Sequence, residues 1–437
     1  MQKRYAVVGL GDRSRLYTHA LLTIFREQGL LVGYCDSNQT RMSVTNRHYA
    51  ETVGTDPVAM YTANAFDRMI KEQKIDTVIV TSMDGTHHHY IIKAMELGCD
   101  VITEKPMTID APKCQAILDT QKQTGRSLTV TFNYRYSPHN TQIKSILRSG
   151  AIGKVLSVHF EWLLDTWHGA DYFRRWHREK ENSGGLMVHK AAHHFDLVNW
   201  WLETEPESVF GFGATAFYGE ENARKRGMTQ FYERSHGNPP AQNDPFAIQL
   251  EASQDYRELY LEAEHEDGYF RDRSVFSKHI GIEDDMALVL RYRGGAIMTY
   301  HLHAYAPWEG YRIAFNGDKG RLEVEIVESV YRIDSRGEGP LPDGLETQPL
   351  ENYPASRILL RPLWSLPRSI SVEEGSGGHS GGDERMLADI FLPRTMPDPW
   401  QRAANHIHGA LAILPGIAAN QSFATGQPVI ISDLVTF

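Results

Sequence analysis

The chain opens on a short apolar run, Tyr5-Ala6-Val7-Val8, which ends in Gly9-Leu10-Gly11-Asp12-Arg13-Ser14 and passes into a helical stretch over 16–28. Further apolar runs stand at 30–35, 77–81 and 101–103, with amphipathic stretches over 66–71 and 87–97 between them. Nearly continuous apolar runs alternating with helices are the pattern of strands buried on both faces, so the first part is expected to be a doubly wound parallel sheet. A last strand is expected to start at Leu128. Beyond a helix over 138–149 the period changes. Segments 154–164, 207–216, 286–292, 296–303, 311–316 and 321–327 alternate apolar and polar residues, with few helices between them. That predicts an open, largely antiparallel sheet in a C-terminal α+β domain. The polar segment 220–285 and the glycine-rich run 374–383 read as insertions or loops. The expected division is 1–127 and 128–437.

The first turn carries chemistry. A strand, a glycine turn and a helix start form the dinucleotide-binding fingerprint of a Rossmann domain. Gly9 permits the tight turn. Gly11 lets the backbone approach a pyrophosphate, which Asp12, Arg13 and the helix start would flank. Ser14 replaces the third glycine. The second strand ends at Asp36, about twenty residues on, where a carboxylate accepts hydrogen bonds from the ribose hydroxyls and repels a 2′-phosphate. NAD is therefore the expected cofactor, and Arg41 is the one nearby group that would tolerate NADP. Ligands bind at the carboxyl ends of parallel strands, which brings Ser82, His87, Glu104 and Lys105 to the same edge.

Size and composition bound the rest. At 437 residues the chain exceeds one ordinary core. The net charge of -10 is spread out, which argues against a nucleic-acid partner. Three scattered cysteines, Cys35, Cys99 and Cys114, make neither a disulfide framework nor a zinc site, so a reducing, cytoplasmic setting is expected. No apolar segment reaches the length of a membrane span.

Two stretches of the second part stand out. Gly184-Gly185 leads into Leu186-Met187-Val188-His189-Lys190-Ala191-Ala192-His193-His194-Phe195-Asp196, read as one buried helix with His189, His193 and Asp196 on a shared face. Titratable groups on an apolar helix need partners or a function. His189 and His193 have a two-ligand spacing, but the glutamate of a zincin motif is missing, so no metal is expected. Upstream, Trp167 to Arg178 is dense in aromatics and donors, with Tyr172, Arg174, Trp176 and His177 as candidate contacts to a sugar.

The glycine turn, the Thr86-His87 pair, Glu104-Lys105-Pro106 and the stretch from Gly184 to Asp196 together resemble the Gfo/Idh/MocA family of NAD(P)-dependent sugar and cyclitol oxidoreductases. The likeness also takes in Asn133-Tyr134-Arg135-Tyr136 and Gly317-Asp318-Lys319-Gly320. It implies that Lys105 lies near nicotinamide and substrate, that Asn133 belongs to the cofactor site, and that His193 takes a proton from a substrate hydroxyl. Arg135 joins the expected substrate contacts. It also implies a homodimer or homotetramer formed through the C-terminal sheet. This chain departs from the family at His189, where the family has an aspartate, and at Met83, where a proline is usual. The expected activity is hydride transfer between NAD and a ring hydroxyl of a sugar, sugar derivative or glycoside, with His189 orienting or relaying protons for His193. A redox-assisted glycosidase and a non-catalytic NAD-binding regulator are the other two readings of this chain.

Overall fold

The computed structural model describes residues 2–331, 355–393 and 396–437. Strands β1 (Lys3–Val8), β2 (Gly29–Asp36), β3 (Ala59–Thr62), β4 (Thr77–Val80), β5 (Asp100–Thr103) and β6 (Leu128–Val130) form a parallel sheet in the order β6-β5-β4-β1-β2-β3. The order reverses between β1 and β4, and there a crevice opens at the carboxyl ends. Gly9, just past β1, has φ +85°, and a Cβ on it would lie 2.4 Å from the Ser82 Cα just past β4. Only glycine lets the two turns close on each other.

Leu128–Val130 pair with β5, so the expected last strand lies in the first sheet. Its apolar residues are buried against the same core as β5, which is why it stays there.

The second sheet is built from β7 (Val155–Asp165), β8 (Pro206–Ala214), β9 (Asp285–Tyr292), β10 (Ile297–Ala306), β11 (Glu309–Gly317), β12 (Gly320–Ser329), β13 (Arg357–Pro362) and β14 (Arg368–Ile370). Of two short later strands, β15 (Ala404–Asn405) pairs with β6 in the first sheet and β16 (Val429–Ile430) pairs with β8. The second sheet runs β14-β13-β12-β11-β7-β10-β9-β8-β16 and is antiparallel except for the central β7/β10 pair. Its period-two pattern puts Val158, Phe160, Trp162, Met298, Tyr300 and Leu302 into the core, beneath the helices Ala191–Leu202 and His406–Thr425. On the outer face Phe212, Val289 and Ile297 are left exposed by the described residues.

The expected single histidine helix is two: Leu186–His189 and Ala191–Leu202, meeting at Lys190. At the break the His193 amide bonds back to the Lys190 carbonyl, three residues away, rather than four. Asp196 does not share the face of His189 and His193. It is buried in a two-pronged ion pair with Arg135, at 2.6 and 2.7 Å.

Both expected loops are docked. Within 220–285 lie short helical turns, and Tyr260 and Leu259 pack with Val44 of the first domain. The glycine-rich run leads into the helix Gly382–Phe391, whose Leu387 and Phe391 pack under β1. Among the described residues no helix is long and apolar enough to cross a membrane.

Candidate active site

A cavity of about 640 Å³ lies at the crevice between the two sheets. From the first domain it is lined by the glycine turn, Asp36, Ser82, Asp84, His87, Glu104 and Lys105; from the second by Tyr172, Arg175, His177, His189, Lys190 and His193.

Asp84 and His189 form its centre. Asp84 stands in the turn after β4, and its Oδ2 lies 2.5 Å from His189 Nδ1. Neutral imidazole with its proton on Nδ1 donates to the carboxylate and leaves Nε2 as an acceptor, and Lys105 Nζ lies 3.3 Å from that atom. Lys105 also donates to the His189 carbonyl, at 3.3 Å. The groups thus run Asp84, His189, Lys105. Burial drives His189 well below the usual histidine range, and the Lys105 and Arg175 charges push the same way. Burial pulls Lys105 down to about 8 against the raising influence of Asp84 and Glu104. Burial raises Asp84, opposed by Lys105 and Arg175.

His193 lies one turn further on. It is buried, its ring meets Tyr134 edge-on at 4.7 Å, and its Nδ1 has no hydrogen-bond partner among the described residues. Burial and the Lys105 and Lys190 charges hold it well below its ordinary value, so it is a neutral base at pH 7.

The remaining expected residues divide. Arg13 is fixed by Glu104 at 2.7 Å and Asp383 at 3.1 Å, and Tyr17 donates to the same Glu104 oxygen. Burial penalises the Glu104 carboxylate, but Arg13 and Tyr17 outweigh it and lower its pKa. Asn133 lines the cavity and donates to Asp383 at 2.7 Å. The Ser14 hydroxyl turns back to the Gly11 carbonyl, at 2.6 Å, and is absent from the lining. His87 lines the wall, with its nitrogens 2.8 and 2.9 Å from the Pro106 and Ser82 carbonyls, so it ties two turns together. Tyr172, Trp176 and His177 line the cavity, with the His177 ring stacked on Trp176.

Arg135 and Arg174 are not brought to the cavity. Arg135 is consumed by Asp196, and Arg174 is buried with its donors on the Phe246 and Trp167 carbonyls. Both guanidinium groups are held inside the protein, Arg174 with its Nε left without a hydrogen-bond partner among the described residues.

Asp84 and Arg175 were not singled out from the sequence. Asp84 follows a parallel strand, which was a positional signal for it. Arg175 sits among recognised neighbours and had none of its own.

Asp84, His177 and His189 offer ligand atoms within 4.8 Å of one another, as do Glu161, His301 and His303 on the outer sheet face. In the first group the Lys105 ammonium already supplies positive charge against His189.

Residues 3–132 match the NAD-binding Rossmann fold of the Gfo/Idh/MocA oxidoreductase family, and residues 144–431 match that family's C-terminal alpha/beta domain. The chain belongs to the Gfo/Idh/MocA family. YteT of Bacillus subtilis (strain 168), whose name places it among oxidoreductases, is 35% identical over 99% of this chain and 98% of its own length. The scyllo-inositol 2-dehydrogenase (NAD(+)) of the same organism is 28% identical over 48% of this chain and 57% of its own. The fold is shared with the WlbA dehydrogenase of Bordetella pertussis, solved with NADH and UDP-GlcNAcA, at a TM-score of 0.62 and 17% identity over 98% of this chain and 99% of that one.

The first domain is thus an NAD-binding Rossmann domain, and its groups fit that cofactor. Gly9 leaves the turn bare of side chain, and a Cβ on Gly11 would meet only the Tyr260 hydroxyl, at 3.9 Å. Asp36 lies on the cavity wall, held by the Leu10 and Asn38 amides. Burial raises its pKa, and those two amides work against the rise.

Proposed function

We propose that this protein is an NAD-dependent dehydrogenase acting on a ring hydroxyl or ketone of a carbohydrate. The observation that carries the reading is the convergence of Lys105, His193 and the Asp84-held His189 on the cavity that also contains the glycine turn. When bound, NAD accepts a hydride at the nicotinamide C4 or returns one.

The chain's own residues do the rest. His193, neutral and with a ring nitrogen that is free among the described residues, takes the proton from the substrate hydroxyl. The Lys105 ammonium donates to the same oxygen and stabilises the negative charge that develops there. His189 does not act on substrate. Clamped by Asp84, it holds Lys105 through Nε2 and the backbone carbonyl, so Asp84 supplies from the first domain the carboxylate that the family carries at position 189. Tyr172 and Trp176 offer aromatic surface for the apolar face of a pyranose. The inositol dehydrogenases among the relatives support a polyhydroxylated ring as substrate.

Asp36 favours NAD over NADP. Arg41 also lines the cavity but is tied down by Asp267 at 2.6 Å and the Leu259 carbonyl at 3.0 Å, with Nη2 left without a partner among the described residues. The outer face of the second sheet, with Phe212, Val289 and Ile297 exposed, suits pairing with a second copy.

The test is a panel of sugars, uronic acids, inositols and aryl glycosides incubated with protein and NAD, with NADH absorbance and released aglycone followed together. NADH formation with the glycosidic bond intact supports the reading. Aglycone release without accumulated NADH, or no NADH from any compound, would sink it.

A further inference from the structure

Asp171, on the cavity wall, gathers several cations to itself. Asp171 alone receives three guanidinium groups: Arg271 in a fork at 2.8 and 3.1 Å, Arg175 at 3.0 Å and Arg174 at 3.4 Å. Among the described residues none of the three makes another ion pair within 4.0 Å beyond Asp171. Lys190 is 3% exposed and makes no ion pair within 4.0 Å among the described residues, though Glu309 and Glu328 face it from further off. Its ammonium lies over the Trp162 and Tyr134 rings at 5.0 and 5.4 Å and reaches the Tyr134 hydroxyl at 3.4 Å. Three arginines thus share one carboxylate, and Asp171 cannot fill every donor of all three. A guanidinium donor left without a protein partner is open to a ligand acceptor.

Arg175 is where these arginines meet the cavity. Of the three arginines it alone lines the wall. Its Nε is taken by Asp171, both through the carboxylate and through the backbone carbonyl at 3.3 Å. Its Nη1 and Nη2 make no hydrogen bond to any described residue, and the side chain keeps 24% of its surface. It stands on the segment whose Tyr172 and His177 rings lie 5.3 and 4.3 Å from His189, and its charge acts on both Asp84 and His189. A planar fork with two free nitrogens is the geometry that receives a carboxylate or phosphate edge-on.

We propose that the substrate is an anionic sugar whose carboxylate or phosphate is received by Arg175. This rests on the reading of the cavity as a carbohydrate site but not on which hydroxyl is oxidised. Asp171 fixes the Arg175 stem, and the neighbouring Arg174 and Arg271 keep Asp171 from neutralising it.

The experiment is calorimetric titration of the NADH-loaded protein with D-glucuronate and D-galacturonate, with the matching 6-phosphates, and with D-glucose and D-galactose. In at least one pair the acid should bind about ten-fold or more tighter than its neutral parent. Whether uronate or 6-phosphate shows the gain identifies the anion. Arg175→Met should erase the preference for acid over neutral parent, and Arg175→Lys should retain part of it. Acids that bind no better than neutral parents in every pair, or not at all, overturn the proposal. So does a preference that survives in Arg175→Met, or an equal loss of NADH affinity in that variant, which would give Arg175 to the cofactor. The tightest ligand is then incubated with NAD. Preferred binding without hydride transfer would remove the dehydrogenase reading and leave the anion site standing.

Discussion

Asp84 Oδ2 and His189 Nδ1 are 2.5 Å apart although 105 residues separate them in the chain. One belongs to the turn after β4, the other to the short helix that follows Gly185. The pair fixes the imidazole tautomer and so determines which nitrogen faces Lys105.

Asp84→Asn should therefore lower kcat by about 10²-fold or more, because an amide either loses the bond or presents the wrong partner to Nδ1. NAD affinity should stay near that of the unaltered protein. Steady-state kinetics with a parallel NAD titration measure both, and an Asn variant at full kcat would remove Asp84 from the site.

Lys105→Ala and His193→Ala should each lose at least about 10²-fold in kcat. His189→Ala should lose less than His193→Ala if it positions rather than transfers. A silent His193→Ala beside a dead His189→Ala would exchange the two roles.

The rate should depend on pH in a defined sense. His193 must be neutral to accept a proton, and its pKa is held well below the usual 6.5, so the acid limb of kcat/KM lies below that value. Lys105 must be charged to stabilise the developing oxyanion, and its pKa is about 8, so the oxidation rate should fall as pH rises through that point. In Lys105→Arg whatever activity survives should lack the alkaline limb, since a guanidinium does not deprotonate there.

NAD should bind at least about ten-fold more tightly than NADP. Fluorescence titration of both decides it, and equal affinities would mean that Arg41 leaves Asp267 for the 2′-phosphate.

Asp196→Ala should cost about 3–5 kcal/mol of stability, because it strands the buried Arg135 guanidinium. Denaturant unfolding measures that loss. Turnover of the folded fraction should change little, the opposite of what a substrate-binding Arg135 would give.

Local pattern carried much of this architecture. The turn at Gly9, the run of β1 and β4, Asp36 at the end of β2 and the alternation of β9 and β10 each follow from residues close in sequence. What stayed hidden depended on distant partners. Arg135 and Asp196 both looked available until the fold joined them. Nothing near Asp84 announced that a histidine 105 residues later would need it. The break at Lys190 was equally silent, since 186–202 reads as uniformly helical.

The segment at 250–269 has a kinetic meaning. Tyr260 accepts from the Asp12 amide at 3.0 Å, Asn38 donates to the Ala263 carbonyl at 2.8 Å, Glu266 caps Gln39 and Thr40, and Asp267 holds Arg41. Tyr260, Asp267 and Tyr269 share one wall with Gly9, Gly11 and Asp36. Each of these bonds is worth about 0.5–1.5 kcal/mol, so together they should slow the opening of that wall. The residence time of the dinucleotide should then depend on this strap from the other half of the chain as well as on the turn itself.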